Sequence, residues 1–142
     1  MPGKLVSRMS NRECFTLRET DTIKIASQNL QEKKIGSMPV LNKNNKVTGI
    51  ISERDLSSLI YTERFNANIL VEKVMSKKLV TCDLNTSVTE LMETMTEKKI
   101  RHILIMEDEK LLGIVSIGDV VNHLINKIKE ENKSLREYIN SY

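Results

Sequence analysis

At 142 residues the chain suits one compact domain, or two half-domains that must share a core, since a unit of about 60 residues is marginal alone. Trp is absent, aromatics make up 4% and the 22 basic and 19 acidic residues are interspersed for a net charge of +3, which argues against base stacking or a one-sided basic field and hence against nucleic-acid binding. No apolar run approaches the roughly 18 residues of a bilayer span, and no secretory apolar stretch precedes Cys14 and Cys82, so a soluble cytoplasmic protein with reduced thiols and no membrane partner is expected.

Taken in chain order, apolar periodicity gives one series of elements twice. A short strand over 14–17 leads through Thr20-Asp21-Thr22 into an amphipathic helix whose buried face carries Ile23, Ala26 and Leu30. Two strands follow, over 38–41 and 47–51, joined by the polar turn 42–46. Their near-continuous apolar character predicts a sheet covered by helices. A second helix starts after Ser52, and the connecting segment 66–71, without Gly or Pro, predicts a tight link. The series then restarts: a strand over 79–82, the capping stretch Asn85-Thr86-Ser87, a helix buried through Val88, Leu91, Met92 and Met95, strands over 103–106 and 111–115, and a helix after Ser116. That last helix runs on. Val121, Leu124, Ile128, Leu135, Tyr138 and Tyr142 fall on a seam of period about 3.5, interrupted by Glu131, a pattern shared by a solvated tail and a dimerising helix.

The repetition extends to short strings. Glu32-Lys33-Lys34-Ile35 recurs as Glu97-Lys98-Lys99-Ile100, and Gly49-Ile50-Ile51-Ser52-Glu53-Arg54-Asp55 as Gly113-Ile114-Val115-Ser116-Ile117-Gly118-Asp119. The second copy is one residue shorter between the strings, and the difference falls in a turn. The expected fold class is α+β, with two β-α-β-β-α repeats over 4–61 and 69–127 that pack on each other pseudo-symmetrically, and a C-terminal helical extension over 128–142. A duplicated unit of this kind builds two related sites against a shared interface.

Each Ser-x-x-Asp stands where a strand ends and a helix begins. As N-cap and N3 residues, Ser52 with Asp55 and Ser116 with Asp119 form a capping box in one reading. In the other, the carboxylate at the mouth of a cleft accepts two hydrogen bonds from the vicinal diol of a ribose, while the serine and the exposed helix amides meet sugar or phosphate. Periodicity does not separate the two. Two His, two Cys and no clustered carboxylates offer neither metal-ligand spacing nor a nucleophile with its base, so no enzyme is expected.

The whole-length order resembles a tandem of CBS domains, the cystathionine β-synthase type module, as found in small stand-alone bacterial CBS pairs. Lys34-Ile35-Gly36-Ser37-Met38-Pro39-Val40 and the string ending at Asp55 carry the resemblance in one copy, and Ile100-Arg101-His102-Ile103-Leu104-Ile105 and the string ending at Asp119 carry it in the other. It implies two repeats packed through their sheets, with two clefts for an adenosyl ligand: AMP, ADP, ATP, NAD or S-adenosylmethionine. By the same resemblance Asp55 and Asp119, beside Ser52 and Ser116, take the ribose diol. Thr16 and Thr81 line the adenosine pocket, and Met38, Val40, Ile51, Ile103 and Val115 flank the base. Arg54, Arg101 and His102 are the implied phosphate clamp, Arg through its fork and His through a pH-dependent charge. The copies differ: Gly36-Ser37 stands opposite Arg101-His102, Arg54 opposite Gly118, and Pro39 opposite Leu104. Two sites of unequal affinity are expected.

The expected function is a non-catalytic regulatory module, an energy or redox sensor. Adenine nucleotide in the cleft would alter how a homodimer meets an unidentified regulated protein in trans. The alternative is a structural dimerisation module without ligand.

Overall fold

The computed structural model describes residues 4–140, so Tyr142 of the expected seam lies outside the described residues. It opens with an element that the sequence did not suggest, α1 (Lys4–Ser10). Then β1 (Leu17–Arg18), α2 (Ile23–Lys33), β2 (Ser37–Leu41), β3 (Val47–Ser52) and α3 (Glu53–Tyr61) form the first repeat. After a 3₁₀ turn (Val71–Lys73), β4 (Thr81–Cys82), α4 (Val88–Lys98), β5 (His102–Glu107), β6 (Lys110–Ser116) and α5 (Ile117–Asn140) form the second. Each repeat holds a three-stranded sheet with its first strand parallel and its third antiparallel to the central one. The registers correspond: Leu17 opposes Val40 as Cys82 opposes Ile105, and Met38 opposes Ile51 as Ile103 opposes Val115. Both sheets are irregular at the same point, between Val40 and Leu41 and between Ile105 and Met106, beside the turn whose length differs.

Local chemistry sets the helix ends. The Thr22 hydroxyl accepts from the Ile25 amide and the Ser87 hydroxyl from the Glu90 amide, each satisfying one orphan donor of a first turn. At the other end Lys34 and Lys99 take left-handed conformations, with φ of 54° and 53°. The amides of Ile35 and Ile100 then bond back to Leu30 O and Met95 O, closing the helix and aiming the chain into the central strand. The repeated Lys-Lys-Ile string is thus a helix terminator.

Two aliphatic cores result, and each borrows a segment from across the duplication. Leu17, Ile23, Ala26, Leu30, Met38, Val40 and Ile51 pack with Val71 and Met75, which lie just upstream of the second repeat's sheet. Leu91, Met95, Ile103, Ile105, Val115 and Val120 pack with Leu5 and Val6 of α1, upstream of the first repeat's sheet. The exchange explains the glycine that opens each Gly-apolar-apolar-Ser string. A Cβ at Gly49 would collide with the Met75 side chain, and one at Gly113 would stand 3.1 Å from Met9 O, so the borrowed segments cross where no side chain intervenes. The connection between repeats is as tight as its composition suggested: Ile23 N donates to Ile69 O, Lys24 N to Ala67 O and Val71 N to Asp21 O. The first strands are shorter than expected, two residues each, although Val80 O still accepts from Leu104 N; Cys14, Phe15, Leu79 and Val80, expected within them, line the space between the repeats.

Candidate nucleotide cleft

Two cavities lie between the repeats, related by the duplication. The first, of about 370 Å³, has Ile50, Ser52, Arg54 and Asp55 on one wall, with Lys78, Leu79 and Val80 and then Lys99, Ile100, Arg101 and His102 from the second repeat on the other. The second, of about 340 Å³, has Ile114, Ser116 and Asp119 on one wall and Arg12, Cys14, Phe15, Lys34 and Ile35 on the other. Gly36, Ser37 and His102 line both. The His102 imidazole packs over Gly36, where a Cβ would stand 3.4 Å from its Cε1, an ordinary van der Waals contact.

Both Ser-x-x-Asp strings form capping boxes. Asp55 N donates to Ser52 Oγ at 3.3 Å, and the Ser52 amide returns a hydrogen bond to Asp55 Oδ2 at 2.8 Å. In the second copy the corresponding distances are 3.1 Å and 2.8 Å. The carboxylates differ in what remains. Asp55 uses Oδ2, which also accepts from Ser52 Oγ at 3.1 Å, and its Oδ1 accepts nothing among the described residues. Asp119 is saturated, with Arg12 Nη1 on Oδ1 at 2.9 Å and Arg12 Nη2 on Oδ2 at 2.6 Å, while Nη2 also donates to Ile114 O at 2.9 Å.

Electrostatics follow this geometry. Burial pushes the Asp119 carboxyl up, but the Arg12 guanidinium and the Ser116 amide and hydroxyl together hold it below the usual carboxylate range. Burial lowers the His102 pKa, and Arg101 lowers it further against the opposing pull of Asp119 and Glu53, so the imidazole is neutral at pH 7. Burial raises the Cys14 thiol, and burial with Asp83 beside it pushes Cys82 up to about 11, leaving neither as a thiolate at neutral pH. Ser37, 4% exposed, is an exception to hydrogen-bond satisfaction: its Oγ is buried with no partner among the described residues.

The sequence-expected residues divide accordingly. Ser52, Arg54, Asp55, Arg101 and His102 come together in the Asp55 cavity, and Ser116, Asp119 and His102 in its counterpart. Thr16 and Thr81 are exposed and line neither cavity. Five apolar assignments need correction: Met38, Val40, Ile51, Ile103 and Val115 are at most 1% exposed and face the helices, so none can flank a base. Alternation along a strand puts their neighbours Ser37, Ile50, Leu104 and Ile114 on the cleft side instead. Lys99, whose place after a helix end suits a solvated cation as well as a phosphate contact, also joins the Asp55 cavity, and so does Lys78, which nothing in the sequence singled out. Strand parity counted back from Ser52 would have found Ile50; nothing in the sequence flags Arg12, because its position depends on α1.

The chain belongs to the CBS domain family, whose sequence model matches residues 6–62 and 71–126. It is similar to the mitochondrial CBS domain-containing protein CBSX3 of Arabidopsis thaliana, 34% identical over 124 residues that make up 84% of this chain and 60% of that protein, so the chain spans less than two thirds of that relative's length. Among solved structures, the CBS-domain protein ATU1752 of Agrobacterium tumefaciens superposes with a TM-score of 0.78 at 34% identity, over 84% of this chain and 90% of the other. The CBS domain pair of protein MJ0100, crystallised with 5-methylthioadenosine and S-adenosyl-L-methionine, shares the fold with a TM-score of 0.79 at 20% identity, over 87% and 98% of the two chains.

Proposed function

We propose that this CBS pair is a non-catalytic regulatory module that binds an adenine nucleotide, AMP, ADP, ATP or NAD, in the Asp55 cavity and passes its occupancy to a partner. The observation that carries the reading is the composition of that cavity. A carboxylate with one oxygen free to accept from a ribose hydroxyl shares it with Arg54, Lys78, Lys99 and Arg101, four cations against the two carboxylates Glu53 and Asp55. A neutral sugar alone would not need that charge, and an inorganic anion alone would leave the open carboxylate oxygen unused; a nucleotide uses both. The hydroxyl of Ser37, without a partner among the described residues, belongs with His102 to the wall that both cavities share. The adenosyl ligands of the MJ0100 pair support the same class of ligand, although the positive charge here favours phosphates over a sulfonium.

Calorimetry of AMP, ADP, ATP and NAD against wild type and Asp55→Ala tests this. Saturable binding that Asp55→Ala weakens by about tenfold or more, as expected for lost hydrogen bonds to a charged acceptor, supports the reading. The capping boxes favour a second one, a ligand-free scaffold, because the observed hydrogen bonds are those of a cap. In that case no nucleotide binds, and Asp55→Ala costs about 1 kcal/mol of stability and nothing else.

The output is carried by a second copy and by a regulated protein in trans. The apolar side chains left exposed on α3 and α5, Ile60 and Tyr61 on one and Val121, Ile125 and Ile128 on the other, support a homodimer. Free Cys14 and Cys82 accord with a reducing compartment such as the cytoplasm, and no helix among the described residues is long and apolar enough to cross a membrane.

A further inference from the structure

We infer that Arg12 is an internal stand-in for the ribose diol in the Asp119 cavity, so that the Asp55 cavity fills first and the Asp119 cavity accepts a nucleoside only once the guanidinium has left. This rests on the nucleotide reading of the cleft and adds an order of filling to it. A vicinal diol offers two O–H donors side by side to a carboxylate; the Arg12 fork offers two N–H donors in the same arrangement, one to each oxygen of Asp119, and takes the carbonyl of Ile114 as well. With the Ser116 amide on Oδ2, the carboxylate has no oxygen without a donor. A ribose must therefore compete for Asp119, whereas Asp55 has Oδ1 open.

The duplication shows that this contact is particular to one copy. By the strand register, Thr16 stands where Thr81 stands, which places Lys77 opposite Arg12. Lys77 has a single ammonium in place of a fork, and among the described residues Asp55 has no cation within ion-pair distance. Nor is Arg12 locked in. Its side chain is 43% exposed against 17% for Asp119, so it can swing towards solvent without repacking a core. It follows α1, which is anchored in the second repeat, and precedes β1 of the first, so its backbone spans the boundary that a ligand would bridge.

Adenosine is the discriminating probe, because without phosphate it cannot recruit a displaced Arg12 as a clamp. Adenosine and AMP are titrated by calorimetry into wild type, Asp55→Ala, Arg12→Ala, and Arg12→Ala combined with Asp119→Ala. The expected result is one site in wild type, lost in Asp55→Ala, and a second site in Arg12→Ala, tighter by about tenfold or more, that the added Asp119→Ala removes. Unchanged stoichiometry in Arg12→Ala, with the Asp55 site intact, overturns the proposal and leaves the nucleotide reading standing. Binding to neither protein overturns both. An independent readout needs no ligand: the Asp119 side-chain carboxyl resonance should titrate at higher pH in Arg12→Ala than in wild type, and an unchanged titration means that the ion pair does not persist in solution and the proposal fails.

Discussion

Ser37 and His102 occupy equivalent positions in the two repeats and both line the two cavities of the cleft, where one is a buried hydroxyl without a partner among the described residues and the other a half-buried imidazole held neutral. A buried unsatisfied hydroxyl is a cost to the free protein. Ser37→Ala should accordingly raise the stability of the ligand-free protein by about 1 kcal/mol in denaturant melts while weakening nucleotide binding several-fold, since the hydroxyl finds its partner on the ligand. Loss of stability with unchanged binding would assign the hydroxyl to the fold. His102 makes a prediction about pH. Its folded pKa lies below the ordinary 6.5, so the unfolded chain takes up the proton first, and stability from this group is lost as pH falls from 6.5 to the folded value and is constant below it. A phosphate nearby favours the imidazolium, so binding takes up a proton and affinity rises as pH falls through the same window. The difference between wild type and His102→Gln in calorimetric titrations from pH 7.5 to 5.5 isolates the effect from the titration of the nucleotide itself, and parallel curves would remove His102 from the clamp.

At the level of elements the borrowed segments are the fold's most testable feature. Leu5 is 1% exposed and sits in the core of the second repeat although it precedes the first. Leu5→Ala should cost about 2–5 kcal/mol, and hydrogen exchange should accelerate first in β5 and β6; earlier loss of protection in β2 and β3 would contradict the crossing. This exchange also marks where sequence reading stops. The repeated strings gave the order of strands and helices, the caps and the paired acids, because capping and periodicity are local. The α1 helix escaped, since seven residues with three apolar side chains carry no decisive period and its stability comes from a core about a hundred residues away. The cleft-facing side chains were misassigned for a related reason: Ser37, Met38, Pro39 and Val40 are all buried, so β2 is covered on both faces and alternation of polarity no longer tells helix side from cleft side. Arg12 needed both facts at once, the crossing of α1 and the side of the sheet on which Asp119 stands.

For the whole molecule, the pseudo-symmetry has a further consequence at its outer surface. The helices α3 and α5 follow the two Ser-x-x-Asp strings and are equivalents, and each keeps apolar side chains in solvent: Ile60 is 68% exposed, Ile125 45% and Ile128 57%. Within the expected heptad seam, Leu124 turns to pack on the second core, while Val121, Ile128 and Leu135 stay exposed. A second copy related by a two-fold axis would cover such faces reciprocally, since each copy supplies both the apolar row and its complement. Sedimentation velocity over a concentration series should show a monomer–dimer equilibrium that Ile60→Glu and Ile125→Glu shift to monomer, because a buried unpaired carboxylate costs several kcal/mol. Neither residue lines either cavity of the cleft, so the affinity of the isolated monomer for nucleotide should stay near wild type except for whatever coupling dimerisation supplies. That residue of coupling is the informative quantity. Ligand shifts an assembly equilibrium only by its differential affinity for the two states, and by reciprocity the factor by which dimerisation changes nucleotide affinity equals the factor by which nucleotide changes dimer affinity. Equal affinities in monomer and dimer would confine the signal to the cleft and rule out the dimer interface as its route to a partner.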